Sequence, residues 1–136
     1  MVLWAVVAVL SGCGDSVQQA AVEWVEPPRY SYVLESTCGE RALIGRYRIT
    51  VENGRVVTAE GLDEPARRTV ADSPPGTIPT LAQLVTELNE ARRTRAGVAD
   101  LETDPATGHP TRITIDPEPN AVDDESCYAI SGLTTR

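Results

Sequence analysis

The sequence predicts an α+β fold in which one amphipathic α-helix covers an antiparallel β-sheet of about five to six strands. Three observations lead to this prediction. An Asn53-Gly54 pair separates two alternating segments, a later segment repeats its apolar residues at helical spacing, and further alternating segments follow it. Because the links between neighbouring strands are short, we expect antiparallel pairing with the helix packed on one face.

The first predicted strands lie in residues 29–37, 46–52 and 55–59. In the first of them apolar and polar positions alternate, which places Tyr30 and Tyr32 on the same face. The other two also alternate and are separated by only two residues, which is the spacing of a β-hairpin. Three adjacent strands are therefore expected before the helix.

The turn of this hairpin is the clearest local signal in the chain. Asn53 and Gly54 both accept positive φ angles, which a two-residue type I′ turn requires. The turn fixes the register of the two strands. The expected opposite pairs are Glu52 with Arg55 on the exposed face and Val51 with Val56 on the buried face.

Residues 61–76 are polar and rich in proline, so they are predicted to form an irregular connection within one domain. Thr80 and Gln83 then have the spacing of a capping box at the start of a helix. Gly97 is expected to close this helix. The apolar stripe of the helix consists of Leu81, Leu84, Val85, Leu88 and Ala91. The arginines near its end, which the helix dipole favours without any bound anion, are Arg92, Arg93 and Arg95.

Residues 98–103 and 111–116 are predicted to form a second hairpin. Asp104 opens its longer loop, and Gly108 supplies a residue with positive φ. Residues 127–133 are expected to form the last strand. The folded part of the chain is thus a single domain over residues 29–136.

Composition excludes several classes of function. The chain has 136 residues and 12 basic against 20 acidic side chains, so its net charge is −8 and its pI about 4.6. Nucleic acid and anionic lipid surfaces would repel such a chain. Aromatic residues make up only 4%, which is too few for base stacking or for a sugar-binding cleft. All basic residues are arginine, which excludes a Schiff-base lysine and a P-loop lysine.

The first twelve residues predict a secretory signal. They are apolar and uncharged, and too short to span a bilayer. Leu10-Ser11-Gly12-Cys13 resembles the bacterial lipobox, in which the cysteine is lipidated and becomes the mature N-terminus. We therefore expect a signal peptide over residues 1–12, lipidation of Cys13, and a polar tether over residues 13–28. The alternative is a buried apolar strand followed by an ordinary cysteine.

Trp24 is the exception in the tether, and is expected to dock on the domain or at the membrane interface. With Cys13 lipidated, Cys38 and Cys127 remain as an even pair in an oxidising compartment, which predicts a disulfide between the first and last strands. The alternatives are two free buried thiols or a reactive thiol, and the chain lacks a C-x-x-C motif.

The second hairpin also suggests a family. Residues 101–116, with Asp104-Pro105, Gly108 and Ile113-x-Ile115-Asp116, resemble a Tyr-Asp-Pro-x-x-Gly-Tyr-Pro-x-x-Ile-x-Ile-Asp motif found in small secreted bacterial lipoproteins of uncharacterised function. The Tyr-x-Tyr strand ending in Cys38 and the Asn-Gly hairpin upstream agree with this resemblance. Thr103 and His109 stand where that family commonly has tyrosines. The resemblance implies a fold and a location outside the cytoplasm, and no catalytic residues.

The sequence offers only two places for chemistry. His109, the only histidine, lies between Gly108 and Pro110 and is interpreted as a surface-loop residue. A run of carboxylates offers the oxygen ligands that Ca²⁺ prefers, although without the spacing of an EF-hand. The residues of this candidate cation site are Asp116, Glu118, Asp123, Asp124 and Glu125.

The sequence therefore predicts a non-enzymatic binding or interaction module, anchored by lipid to the extracytoplasmic face of the cell membrane, with no required cofactor. Its partner is expected to be an envelope protein that contacts a sheet face or the strand of Tyr30 and Tyr32. One alternative is a Ca²⁺-dependent module or a small hydrolase that uses the acidic loop between Asp116 and Glu125. Another is an inhibitor of a secreted enzyme. The ligand itself does not follow from the sequence.

Overall fold

A computed structural model describes residues 19–39 and 42–136 of the chain. Its six strands form one antiparallel sheet in the order β3-β2-β1-β6-β5-β4. The predicted α+β class is confirmed, with six strands. The strands are β1 (Arg29–Ser36), β2 (Gly45–Glu52), β3 (Arg55–Gly61), β4 (Val98–Thr103), β5 (Pro110–Asp116) and β6 (Ser126–Thr135).

The predicted hairpin between β2 and β3 is confirmed in both turn and register. Asn53 has φ 49° and Gly54 has φ 75°, as a type I′ turn requires. The pairs Glu52 with Arg55 and Val51 with Val56 lie opposite each other. Beyond these pairs the register shifts between Thr50 and Val51, which leaves one residue of β3 without an opposite residue on β2.

Two helices pack against the sheet, where the sequence predicted one. Helix α2 (Leu81–Arg93) is the predicted helix, and its capping box between Thr80 and Gln83 is present. It ends differently from the prediction. Arg95 takes the left-handed conformation with φ 58°, and the amide of Ala96 donates to the carbonyl of Ala91. Gly97 is instead required by close packing, because a Cβ there would lie 2.4 Å from Pro119.

The unpredicted helix is α1 (Glu64–Asp72), which lies in the segment predicted to be irregular. Asp63 caps its first turn by accepting from the amide of Ala66 at 3.0 Å. Ala66 is the only buried residue of α1, so the segment has almost no apolar stripe that could reveal a helix. The helix packs closely on β2 and β3, since a Cβ at Gly45 or Gly61 would meet its backbone within 2.7 Å.

The core lies between the helices and one face of the sheet. All four tyrosines of the chain contribute to it and are at most 2% exposed. They take the place of phenylalanine, which the chain lacks. The core side chains from α2 are Leu81, Leu84, Val85, Leu88 and Ala91, which is the predicted stripe.

The other face of the sheet is not covered by either helix. Opposite charges pair across its strands, which is typical of the solvent-facing side of an antiparallel sheet. The ion pairs are Arg46 with Glu35 at 3.9 Å, Arg48 with Glu60 at 3.2 Å and Arg112 with Glu102 at 3.3 Å. Nowhere in residues 19–39 and 42–136 is there a helix with the length and apolarity needed to cross a membrane.

Candidate functional site

Residues 20–28, which we call the strap, run along helix α2 before the chain enters β1. The side-chain amide of Asn89 holds the backbone of Val22 at two points, accepting from its N–H at 2.7 Å and donating to its carbonyl at 2.9 Å. One turn further along α2, Arg92 donates to the carbonyl of Ala20 at 3.0 Å. These contacts place Ala20 beside the C-terminal end of α2.

Burial alternates from one residue to the next along the strap, as it does in an extended segment. Val22, Trp24 and Glu26 are partly buried, and the residues between them are exposed. Val22 and Trp24 pack against the core, and the indole of Trp24 meets the ring of Tyr30 edge-on at 5.7 Å. The described part of the predicted tether is therefore packed on the domain, and Trp24 docks there too.

The strap forms one wall of an open cleft of about 310 Å³. Trp24, Val25 and Pro27 line this wall, and Val25 is 89% exposed. The turn between β4 and β5 and the end of β6 supply the other walls. Their lining residues are Thr107, His109, Leu133 and Thr135.

The end of β6 presents a free backbone edge to this cleft. The pairing of β6 with β5 stops at Ala129, and no further β5 partner occurs among the described residues. The amide of Arg136 donates to the carbonyl of Arg29 on β1, so the backbone groups of the preceding Thr135, which lines the cleft, point away from β1. Such an edge can hydrogen-bond an extended peptide.

His109 lies at the end of the turn that lines the cleft. Its Nδ1 contacts the hydroxyl of Thr107, and its carbonyl accepts from the amide of Asp104 at 2.9 Å. The carboxylate of Asp104 accepts from the amides of Ala106 and Thr107, and these bonds lower its pKa. The predicted loop position of His109 is confirmed, because the residue lies in the connection between β4 and β5, where its side chain is half-buried.

The two tyrosine hydroxyls of β1 are held inside the domain. Tyr30 donates to Glu26 of the strap at 2.8 Å and accepts from the amide of Leu81 at 3.0 Å, and Tyr32 donates to the carbonyl of Pro79 at 2.7 Å. Burial raises the pKa of Tyr30 and Tyr32 well above the usual value, and Glu26 raises it further. Each of these two tyrosine side chains is only 1% exposed, and the expected contact of a partner with the strand that carries them stays a prediction.

A disulfide joins Cys38 to Cys127, with the Cα atoms 5.3 Å apart. It connects the residues just beyond the end of β1 to the start of β6, as predicted. The amide of Thr37 also donates to the carbonyl of Cys127 at 3.1 Å. We call this end of the sheet the bridged end, and the opposite end, which carries the cleft, the cleft end.

The acidic loop lies at the bridged end, between β5 and β6. Partial desolvation raises the pKa of Asp116, and the nearby charges of Asp124 and Glu125 raise it further. One carboxylate oxygen of Asp116 and one of Glu125 have no hydrogen-bond partner. Asp123 has φ 70° within the loop. Across the described part of the chain, no three His, Cys, Asp or Glu side chains are grouped so that they would hold a metal ion.

The remaining predicted site residue, Cys13, lies outside the described residues, as does the whole signal segment of residues 1–12. The sequence missed the cleft, although one signal for it existed. Trp24 lies in the segment predicted to be a tether, and a large aromatic ring in such a place often marks a contact.

Fold and site together define a small α+β domain with helices on one face of its sheet and a cleft at one end. The chain belongs to DUF6174, a family of unknown function, which it matches over residues 16–135. The match begins upstream of β1, so the strap belongs to the family's domain. No curated protein and no solved structure matches the chain.

Proposed function

We propose that this protein is a lipoprotein of the extracytoplasmic membrane face, anchored through Cys13, whose domain binds a partner and catalyses no reaction. Its location is supported by the lipobox-like residues Leu10 to Cys13 and by the resemblance of residues 101–116 to a motif of secreted lipoproteins. The bridge between Cys38 and Cys127 agrees with this location, because disulfides persist in oxidising compartments.

The observation that carries the binding role is the cleft at the free edge of β6. Leu133 and Thr135 line this edge, and the apolar side chains of Trp24 and Val25 lie across from it. A partner segment in extended conformation would hydrogen-bond the edge and place alternate side chains in the cleft. An inhibitor of a secreted enzyme would use the same contacts, with the enzyme as its partner.

The binding role is tested by selecting heptapeptides from a displayed random library on the purified domain. Val25→Arg places a charge in the cleft. Because Val25 is 89% exposed, this substitution leaves the core unchanged. Val122→Arg is the matched control, because Val122 is 85% exposed in the acidic loop at the other end. We expect the selected peptides to bind the wild type and Val122→Arg, and to lose binding to Val25→Arg. Equal binding to all three proteins would contradict the cleft as the site.

The anchor is tested separately by replacing Cys13 with serine. We expect the wild type to sediment with cell envelopes, and mass spectrometry of its N-terminal peptide to show acyl chains on Cys13. The Cys13→Ser protein should be found in the soluble fraction. A variant that still sediments and is indifferent to inhibitors of lipoprotein processing would contradict the anchor.

The acidic loop supports a second candidate, a Ca²⁺-dependent module. The observation in its favour is the pair of unpartnered oxygens on Asp116 and Glu125, which a cation would neutralise. Thermal melts in Ca²⁺ and in EDTA distinguish the two proposals. A shift of several degrees would favour the cation module, and equal melting temperatures would favour the binding module without a metal.

A further inference from the structure

We propose that the bridged end of the domain faces the lipid bilayer and that the cleft end points away from it. The binding cleft would then meet its partner on the far side of the domain, at a distance from the membrane surface. This orientation rests on the lipid anchor at Cys13 proposed above.

The first step concerns the place where the chain leaves the domain. Arg92, in the last turn of α2, donates to the carbonyl of Ala20 at 3.0 Å, and this turn lies at the bridged end. The amide of Gly97 donates to the carbonyl of Pro117 there, so the acidic loop adjoins the same turn. The first described residues of the chain therefore lie at the bridged end.

The second step concerns the length of the link. From Cys13 to Ala20 the chain spans at most about 25 Å when fully extended. If the strap were free, the link would continue to Arg29 and span about 55 Å, so any surface of the domain would reach the bilayer. The contacts of Asn89 and Arg92 with the strap therefore shorten the link by half.

The third step concerns the separation of the two ends. Strand β1 has 8 residues and spans about 26 Å, and it runs from the cleft end to the bridged end. Trp24 lies at the cleft end, against Tyr30 near the start of β1. The cleft is thus separated from the point of attachment by about the length of the sheet.

The sides of the domain offer no surface for lying flat on the bilayer. The outward positions of α2 are polar, and the uncovered sheet face carries paired charges. The exposed positions of α2 include Gln83, Thr86, Glu90 and Arg93.

The test uses the full lipidated protein in vesicles that carry a dansyl group on some lipid headgroups. Trp24 is the only tryptophan after Cys13, so it reports energy transfer from the cleft end. A double variant, Trp24→Phe with Val122→Trp, moves the single tryptophan to the exposed acidic loop at the bridged end. We expect the transfer efficiency from position 122 to exceed that from Trp24 severalfold. Equal transfer, or more from Trp24, would overturn the orientation.

The Asn89→Ala variant tests whether the strap sets this orientation. Loss of both bonds to Val22 should free the strap, so the transfer efficiencies from the two positions should converge. An undiminished difference would show that the strap does not orient the domain. Protein that fails to float with the vesicles and carries no acyl chain would instead overturn the anchor itself, and mass spectrometry of residue 13 identifies that case.

Discussion

The two ends of the sheet are held together in different ways. At the cleft end, neighbouring strands are joined by tight turns, Asn53-Gly54 in one hairpin and the capped turn from Asp104 to His109 in the other. At the bridged end, residues 37–44 and 117–125 join the strands over longer stretches. The only covalent link between elements in the described chain, Cys38 to Cys127, lies at that end.

The difference follows from the cost of ordering the chain. Tight turns are stabilised by their own residues, which favour the required φ angles and supply the hydrogen bonds of the turn. A longer connection has more conformational freedom to lose when it is ordered. The disulfide compensates at the bridged end, whereas tyrosine hydroxyls and backbone amides stabilise the cleft end.

Removal of the disulfide should give the largest effect. The bridge encloses 89 residues, so loss of loop-closure entropy from the unfolded chain predicts a cost of about 4–5 kcal/mol, as an upper figure. We expect Cys38→Ser with Cys127→Ser to lower the urea midpoint accordingly. The wild type in reducing agent is the matched control and should unfold at the same midpoint. An unchanged midpoint in both would show that the bridged end needs no covalent link.

Alkaline pH should unfold the domain by acting on the tyrosines. Burial raises the pKa of Tyr30, Tyr32 and Tyr47, so the folded chain holds their protons more tightly than the unfolded chain does. Their contribution to stability is present below the ordinary tyrosine pKa of about 10 and is lost as the pH rises above it. Because these tyrosines ionise when unfolding exposes them, tyrosinate absorbance should appear together with unfolding. The chain has no lysine that would titrate in the same pH range. Ionisation that precedes the loss of circular dichroism would contradict this.

Tyr30→Phe should destabilise the cleft end by about 1–3 kcal/mol, because it leaves the amide of Leu81 at the start of α2 without an acceptor. It also removes the bond to Glu26. Tyr47→Phe is the control, since it removes a hydroxyl that donates to the carbonyl of Ile44 in a connecting loop. Urea unfolding compares the two variants, and a larger loss for Tyr47→Phe would contradict the role of Tyr30.

Asn89→Ala should free the strap at a cost of about 1–2 kcal/mol, with the rest of the fold intact. We expect limited proteolysis to cut within residues 20–28 in the variant and not in the wild type. Thr86→Ala lies one turn earlier on α2 and removes only a bond within the helix, so it should stay uncut. Equal resistance of all three proteins would show that the strap is held by other contacts.

The sequence correctly predicted the elements in which the local residue pattern and the packing of the folded domain favour the same structure. The Asn-Gly turn, the stripe of α2 and the pairing of Cys38 with Cys127 depend on residue types that have few other roles in such positions. Helix α1 was missed because it buries only Ala66, and its start is marked by Asp63 and Pro65 alone. Its only apolar positions against the core are Ala66 and the half-buried Val70, which are too few to mark a helical stripe.

The candidate site was predictable only in part, because the strap also lacks a periodic local signal in the sequence. The strap carries no clear apolar pattern because Glu23 lies at an exposed position and Glu26, whose carboxylate accepts a buried hydroxyl, lies at an inward one. Its contacts with Asn89 and Arg92 join residues that are more than 60 positions apart in the chain. Such pairings depend on the assembled fold, so a single sequence cannot supply them.

The smallest predicted effect concerns the bridged end. The raised pKa of Asp116 means that its ionised form lowers stability above that pKa, and that this penalty disappears as the pH falls through it. Asp116→Asn removes the repulsion from Asp124 and Glu125, so we expect a small rise in melting temperature at pH 7 that vanishes in acid. Asp100→Asn, an exposed carboxylate on β4, controls for the change in net charge. A rise of equal size in both variants would assign the effect to net charge. Repulsion within the acidic loop would then make no separate contribution to the stability of the bridged end.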